Sequence, residues 1–116
     1  MRDHRRLKAF ELADRLALDV YAATRDFPRE ETYALSQQLR RAAVSVISNI
    51  VEGCARQGQA EYVRFLNIAY ASAREVEYQL SLARRLNYQV PPLLEDLAGE
   101  VCKVLRALIQ SQSSNS

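Results

Sequence analysis

The chain is 116 residues long, 48% hydrophobic and 26% charged, with 3 Gly, 3 Pro, no Trp and a net charge of +2 at pH 7. A chain of this length makes one domain that removes roughly 65% of its unfolded surface from water and keeps a core without covalent staples, and the composition is that of a helix-rich globular protein rather than a disordered one. One histidine, His4, and two cysteines, Cys54 and Cys102, outside any C-x-x-C exclude a zinc finger and a disulfide framework, while so small a net charge excludes a uniformly basic nucleic-acid binder and leaves room for a basic patch.

Residues 1–10 carry Arg2, Arg5, Arg6 and Lys8, but no uninterrupted apolar run of about 7–15 residues follows, as an export signal needs. The most apolar stretch, Ala42 to Val51, is broken by Ser45, Ser48 and Asn49 and falls short of the roughly 20 residues that cross a bilayer. The expectation is a cytoplasmic protein with no membrane partner.

Apolar spacing predicts helices over about 7–26, 30–52, 59–87 and 91–110 within a single domain spanning 1–116, with a polar, frayed tail over 111–116. In the first helix Phe10, Ala13, Leu16, Ala17, Val20, Tyr21 and Thr24 recur at steps of three and four, and Phe27-Pro28 ends it. Glu30 and Glu31 are placed in the first turn of the second helix, where their charge suits the helix dipole. Leu39, Ala43, Val46 and Ile50 form that helix's inward seam, and Gly53 is expected to close it with positive φ. The third helix has the seam Tyr62, Leu66, Ala69, Ala73, Val76, Leu80 and Ala83. Pro91-Pro92 opens the fourth, which carries Leu93, Leu94, Leu97, Val101, Val104, Leu105 and Leu108. Short connections join neighbours antiparallel, so the fold class is all-α, an antiparallel up-down-up-down four-helix bundle.

Two sets of apolar residues fall outside these seams. Ala71, Tyr78 and Leu82 lie opposite the core side of the third helix, and Val44, Ile47 and Val51 lie to one side of the second. Together they are the candidate interface of a homo-oligomer, since contiguous apolar patches mark association.

The residue inventory speaks against catalysis. There is no E-x-x-H pair for a di-iron centre, only His4 to serve as base for a nucleophile, and no Gly-Lys-Ser/Thr after Gly53 or Gly58 to cradle phosphate. Carboxylate chemistry at Glu52 with Glu61 or Glu75 is the remaining route, but a glutamate near a helix end is commonly an ion-pair partner. No metal or cofactor is implied. Arginine outnumbers lysine 14 to 2, which fits bidentate recognition of phosphate or simply a GC-rich coding sequence. Candidate phosphate contacts for RNA or DNA are Arg40, Arg41, Arg56 and Arg64. The alternative is a protein-binding polar site of Arg41, Asn49 and Glu52 near the end of the second helix.

The string Arg40-Arg41-Ala42-Ala43-Val44-Ser45, continuing to Asn49-Ile50-Val51-Glu52-Gly53, with Phe27-Pro28 before it and Phe65-Leu66, Ile68-Ala69, Ser72, Glu75 and Leu80 after it, resembles the 23S ribosomal RNA intervening-sequence proteins over about residues 10–90. Val51 stands where Ala is usual, and Ala71 where Gly is usual. The resemblance implies a bundle subunit that assembles into a ring, a pentamer, with a link to ribosomal RNA. The chain is also similar to the accessory proteins of diversity-generating retroelements, more basic pentameric bundles that bind nucleic acid and a reverse transcriptase.

Overall fold

Steps of three and four between buried side chains produce four helices in the computed structural model, which describes residues 2–114. These are α1 (Lys8–Thr24), α2 (Leu35–Ala55), α3 (Gln59–Arg85) and α4 (Pro92–Ser114), with single 3-10 turns at His4–Arg6 and Arg29–Glu31. Among the described residues there is no strand. Each helix turns one stripe inward, so that Leu16, Val20, Leu39, Val46, Ile50, Leu66, Val76, Leu80, Val101 and Leu105 are wholly buried.

Neighbouring helices run antiparallel. Gly53 lies against Phe65 while Ser45 meets Ser72, and Arg84 meets Glu95 while Glu77 meets Cys102; as numbers rise along one helix they fall along the next. The result is an up-down-up-down bundle measuring 46 × 21 × 19 Å. Among the described residues no helix is long and apolar enough to cross a membrane.

Three boundaries depart from the sequence expectation. The second helix begins at Leu35, not near residue 30, because Arg29–Glu31 forms a 3-10 turn of its own. Glu31 still serves the helix start: one carboxylate oxygen accepts from Leu35 N–H (3.4 Å), and the other accepts from the Tyr88 hydroxyl (2.5 Å) 57 residues away. The tail expected over 111–116 is helical as far as Ser114; Ser111 Oγ donates to Leu108 O (2.7 Å) and Gln112 accepts from Gln59 (2.8 Å), while residues 115–116 lie outside those described.

The third departure is Gly53. It does not take positive φ, as no glycine does, and α2 runs on to Ala55. Its role is close approach, because a Cβ there would stand 3.0 Å from Phe65 Cβ and 3.3 Å from Tyr62 O. The left-handed residue is Asn87 (φ 66°), which ends α3. Asn87 N–H bonds Arg84 O (2.9 Å) and Tyr88 N–H bonds Ala83 O (3.0 Å), the paired bonds of a Schellman cap. Pro92 occupies the first position of α4, where its missing N–H costs nothing.

Gly53→Ala is expected to destabilise the fold by about 1–3 kcal/mol through overpacking. Gly58→Ser should be neutral or stabilising by about 0.3 kcal/mol, since it caps α3 and a Cβ at Gly58 meets nothing within 4 Å. Urea unfolding of the two variants checks both.

Candidate functional site

Arg40 and Arg41 are adjacent on α2, and 100° of helical rotation sends them to different places. Arg40 Nε donates to Thr24 Oγ1 (2.7 Å), its Nη2 donates to Tyr21 O (3.3 Å), and its guanidinium lies 4.7 Å from the Tyr21 ring centre. Thr24 Oγ1 in turn donates a hydrogen bond to Val20 O (2.8 Å). Arg40 is therefore a clamp between α2 and α1. Arg41 is exposed, has no ion pair among the described residues, and lines a hollow of about 440 Å³ with Gln38, Ser45, Ser72 and Glu75.

Arg41, Asn49 and Glu52 do not converge. Asn49 Nδ2 donates to Ser45 O (2.8 Å) and Ser45 Oγ (3.1 Å), and the two serine hydroxyls of α2 and α3 share a hydrogen bond of 2.9 Å. Glu52 accepts from Arg56 (2.7 Å) at the end of the helix. The structure thus joins Arg41 to Ser72 and Glu75 across the α2–α3 seam.

Farther along that seam is a groove of about 490 Å³ bounded by Leu35, Tyr78, Leu82 and Leu86. Tyr78 is 60% exposed and Leu86 47%. Gln79 lines the same groove and is buried; its Nε2 reaches Glu75 (3.4 Å), but its Oε1 has no hydrogen-bond partner. An acceptor buried without a protein donor is costly unless water or another molecule supplies one. Sequence reasoning missed Gln79, which reads as an ordinary polar residue between Tyr78 and Leu80. Ala71, Tyr78 and Leu82 do lie together on the outer side of α3, with Leu82 half-buried at the groove rim.

Val44, Ile47 and Val51 follow Arg40 at four, seven and eleven residues, so they share its side of α2, the side turned to α1. Val44 is 41% exposed, Tyr21 of α1 39%, and Ile47 is partly covered by the core. The two predicted apolar sets therefore lie apart, one on the α1 side of α2 and the other on the outer side of α3.

At the end of the bundle where the chain starts, arginines stack on rings. Arg2 lies 3.9 Å from the Tyr62 ring centre and bonds Arg56 O (3.1 Å) and Gln59 Oε1 (2.7 Å). Arg56 and Arg64 approach the Phe65 ring at 5.0 and 4.5 Å. Both also hold carboxylates, Glu52 at 2.7 Å and Glu61 at 2.8 Å, and the Arg64 guanidinium keeps the Glu61 carboxyl below its usual range. No group of three or more His, Cys, Asp or Glu able to hold a metal occurs among the described residues.

A sequence profile described as the 23S rRNA-intervening sequence protein matches residues 5–110. The chain belongs to the 23S rRNA-intervening sequence protein family. The bundle is similar to the crystal structure of a protein of unknown function from the S23 ribosomal protein family of Bacteroides thetaiotaomicron, with 25% identity and a TM-score of 0.79 over 88% of this chain and 95% of that one. No curated protein matches the chain.

In this family member both thiols are free and buried. Burial, and after it the charge of Glu77, pushes the Cys102 thiol up to about 11; burial also raises Cys54. A raised thiol pKa keeps the neutral form dominant to higher pH. At pH 8 the Cys102 thiolate is then roughly a thousandth of the total, against about a quarter for a free thiol. An aromatic disulfide reagent at pH 8 should modify the native protein at least about 100-fold more slowly than the urea-unfolded chain. Equal rates would contradict the placement of both residues.

Proposed function

We propose that this protein is a non-catalytic building block that assembles head to tail with copies of itself into a ring, and that the ring acts as a binding or scaffolding platform in the cytosol. The observation that carries the reading is the position of the two apolar strips. One strip, Val44, Ile47 and Val51, faces the α1 flank of α2, and the other, Tyr78, Leu82 and Leu86 around Gln79, faces outward from α3. Unlike surfaces on different flanks suit a heterologous contact, which closes into a ring when the rotation per subunit allows it. Five subunits is the number that the family resemblance implies. The reading is non-catalytic because, of the candidate carboxylates, Glu52 and Glu61 are each engaged by an arginine and Glu75 accepts from Gln79.

A second reading, phosphate contact with RNA or another nucleic acid, is favoured by the exposed, unpaired Arg41 and by the arginine-rich end holding Arg2, Arg56 and Arg64. Repetition around a ring multiplies a modest patch. Of the four candidate arginines, Arg41 is the informative one to change, because Arg40 is committed to α1 and the other two hold glutamates.

Light scattering at micromolar concentration is expected to give a mass several times the 13.2 kDa of one chain, and a monomer would contradict the proposal. Leu82→Glu should weaken assembly by at least about tenfold with helix content retained, because a charge at an apolar interface has no partner. If nucleic acid binds through phosphates, Arg41→Gln should lower the slope of log K against log salt by about 0.7–0.9 for each phosphate that is no longer neutralised. No binding to structured or single-stranded RNA at about 50 mM salt would remove the second reading and leave a protein scaffold.

A further inference from the structure

One further hollow belongs to neither surface above. It has a volume of about 930 Å³ and opens between α1 and α4, the one pair of neighbouring helices with no turn joining them, where the chain passes from α3 into α4. Its apolar lining includes Ala23, Val90, Leu94 and Leu97, and its lip is Leu93, which is 78% exposed. Leu93 is continuous with that apolar lining, and contiguous apolar surface is what marks a contact site.

The surroundings of this hollow give its occupant a charge. Of the residues that line it, three are charged: Asp19 and Asp26 are acidic and Arg15 is basic. Asp19 and Asp26 stand on the α1 wall with no ion-pair or side-chain hydrogen-bond partner among the described residues. They are seven residues apart along α1 and its C-terminal turn, hence about 10.5 Å along the axis. Arg15 lines the same wall one turn before Asp19, so the wall reads basic, acidic, acidic along α1.

We propose that this groove binds an amphipathic, basic helical segment of a partner protein. The segment's apolar face enters between Leu93, Leu97 and Ala23, and two of its cationic side chains, seven residues apart, meet Asp19 and Asp26. A helix fits because the groove runs between two helices, and the repeat of the two aspartates is that of two turns of a partner helix. The arginine at one end fixes the direction in which the segment lies. None of the strip residues Val44, Ile47, Val51, Tyr78, Leu82 and Leu86 lines the groove, so it is separate from the surfaces proposed for assembly.

The probe is a labelled 18-residue amphipathic peptide of alanine, leucine and lysine, compared with the same peptide carrying glutamate for lysine. Fluorescence anisotropy at about 0.15 M salt, where long-range attraction is screened, should show the lysine peptide bound at least about tenfold more tightly than its glutamate counterpart. Asp19→Asn with Asp26→Asn should weaken it about fivefold, as expected of two exposed ion pairs, and Leu93→Ser about tenfold through reduced apolar burial. Both variants alter exposed side chains and should keep the parent's helix content. Unchanged affinity in either variant, or equal binding of the two peptides, overturns the proposal. A fall in oligomer mass on Leu93→Ser also overturns it, by assigning the groove to a second copy of the chain.

Discussion

At Gly53 the backbone of α2 comes so near α3 that a methyl group would stand 3.0 Å from the Cβ of Phe65, and much of the architecture follows from that approach. The antiparallel register continues through Ser45 and Ser72 to the Leu35, Leu82 and Leu86 end of the seam. Small residues keep it tight: Ala43, Ala69 and Ala73 are wholly buried. Phe65 remains buried at the outer edge of the close approach, within reach of the guanidiniums of Arg56 and Arg64. The aromatic and arginine cluster at this end thus depends on a residue with no side chain.

The same geometry explains the apolar residues left uncovered. A helix in a four-helix bundle needs an apolar stripe only wide enough to face its two neighbours and the core. In α2 the stripe is wider, with Val44 left 41% exposed, and in α3 Tyr78 projects outward beside a groove where the buried Gln79 Oε1 has no protein donor. Apolar surface exposed in this way is what the proposed assembly would cover. Arg40 shows the opposite arrangement: its charge is engaged within the fold, held by Thr24 and the Tyr21 carbonyl.

The helices and their inward seams were legible because three-and-four spacing is a local property of the chain. What was not legible depended on residues far away in sequence. Gly53 follows an apolar run and a glutamate, which reads as a helix end; its helical conformation is explained only by Tyr62 and Phe65 on the facing helix. The late start of α2 involves Glu31 and Tyr88, 57 residues apart. Arg40 and Arg41 look alike as a pair, and only the position of α1 separates clamp from free cation. Gln79, three residues after Val76 and four before Ala83, has the spacing of a buried position, but its polar side chain conceals it. The acidic α1–α4 groove was half visible: the excess of carboxylates over 11–31 is written in the sequence, but the hollow between them needs α4 in place.

The central claim is that two unlike surfaces, one on the α1 flank of α2 and one on the outer side of α3, meet head to tail. The most direct test mixes two disabled subunits, Val44→Glu, which blocks the first surface, and Leu82→Glu, which blocks the second. Each alone should be monomeric by light scattering, and an equimolar mixture should form a species of twice the 13.2 kDa chain and nothing larger. If either variant alone still forms dimers, each surface pairs with its own kind, and the head-to-tail account is wrong.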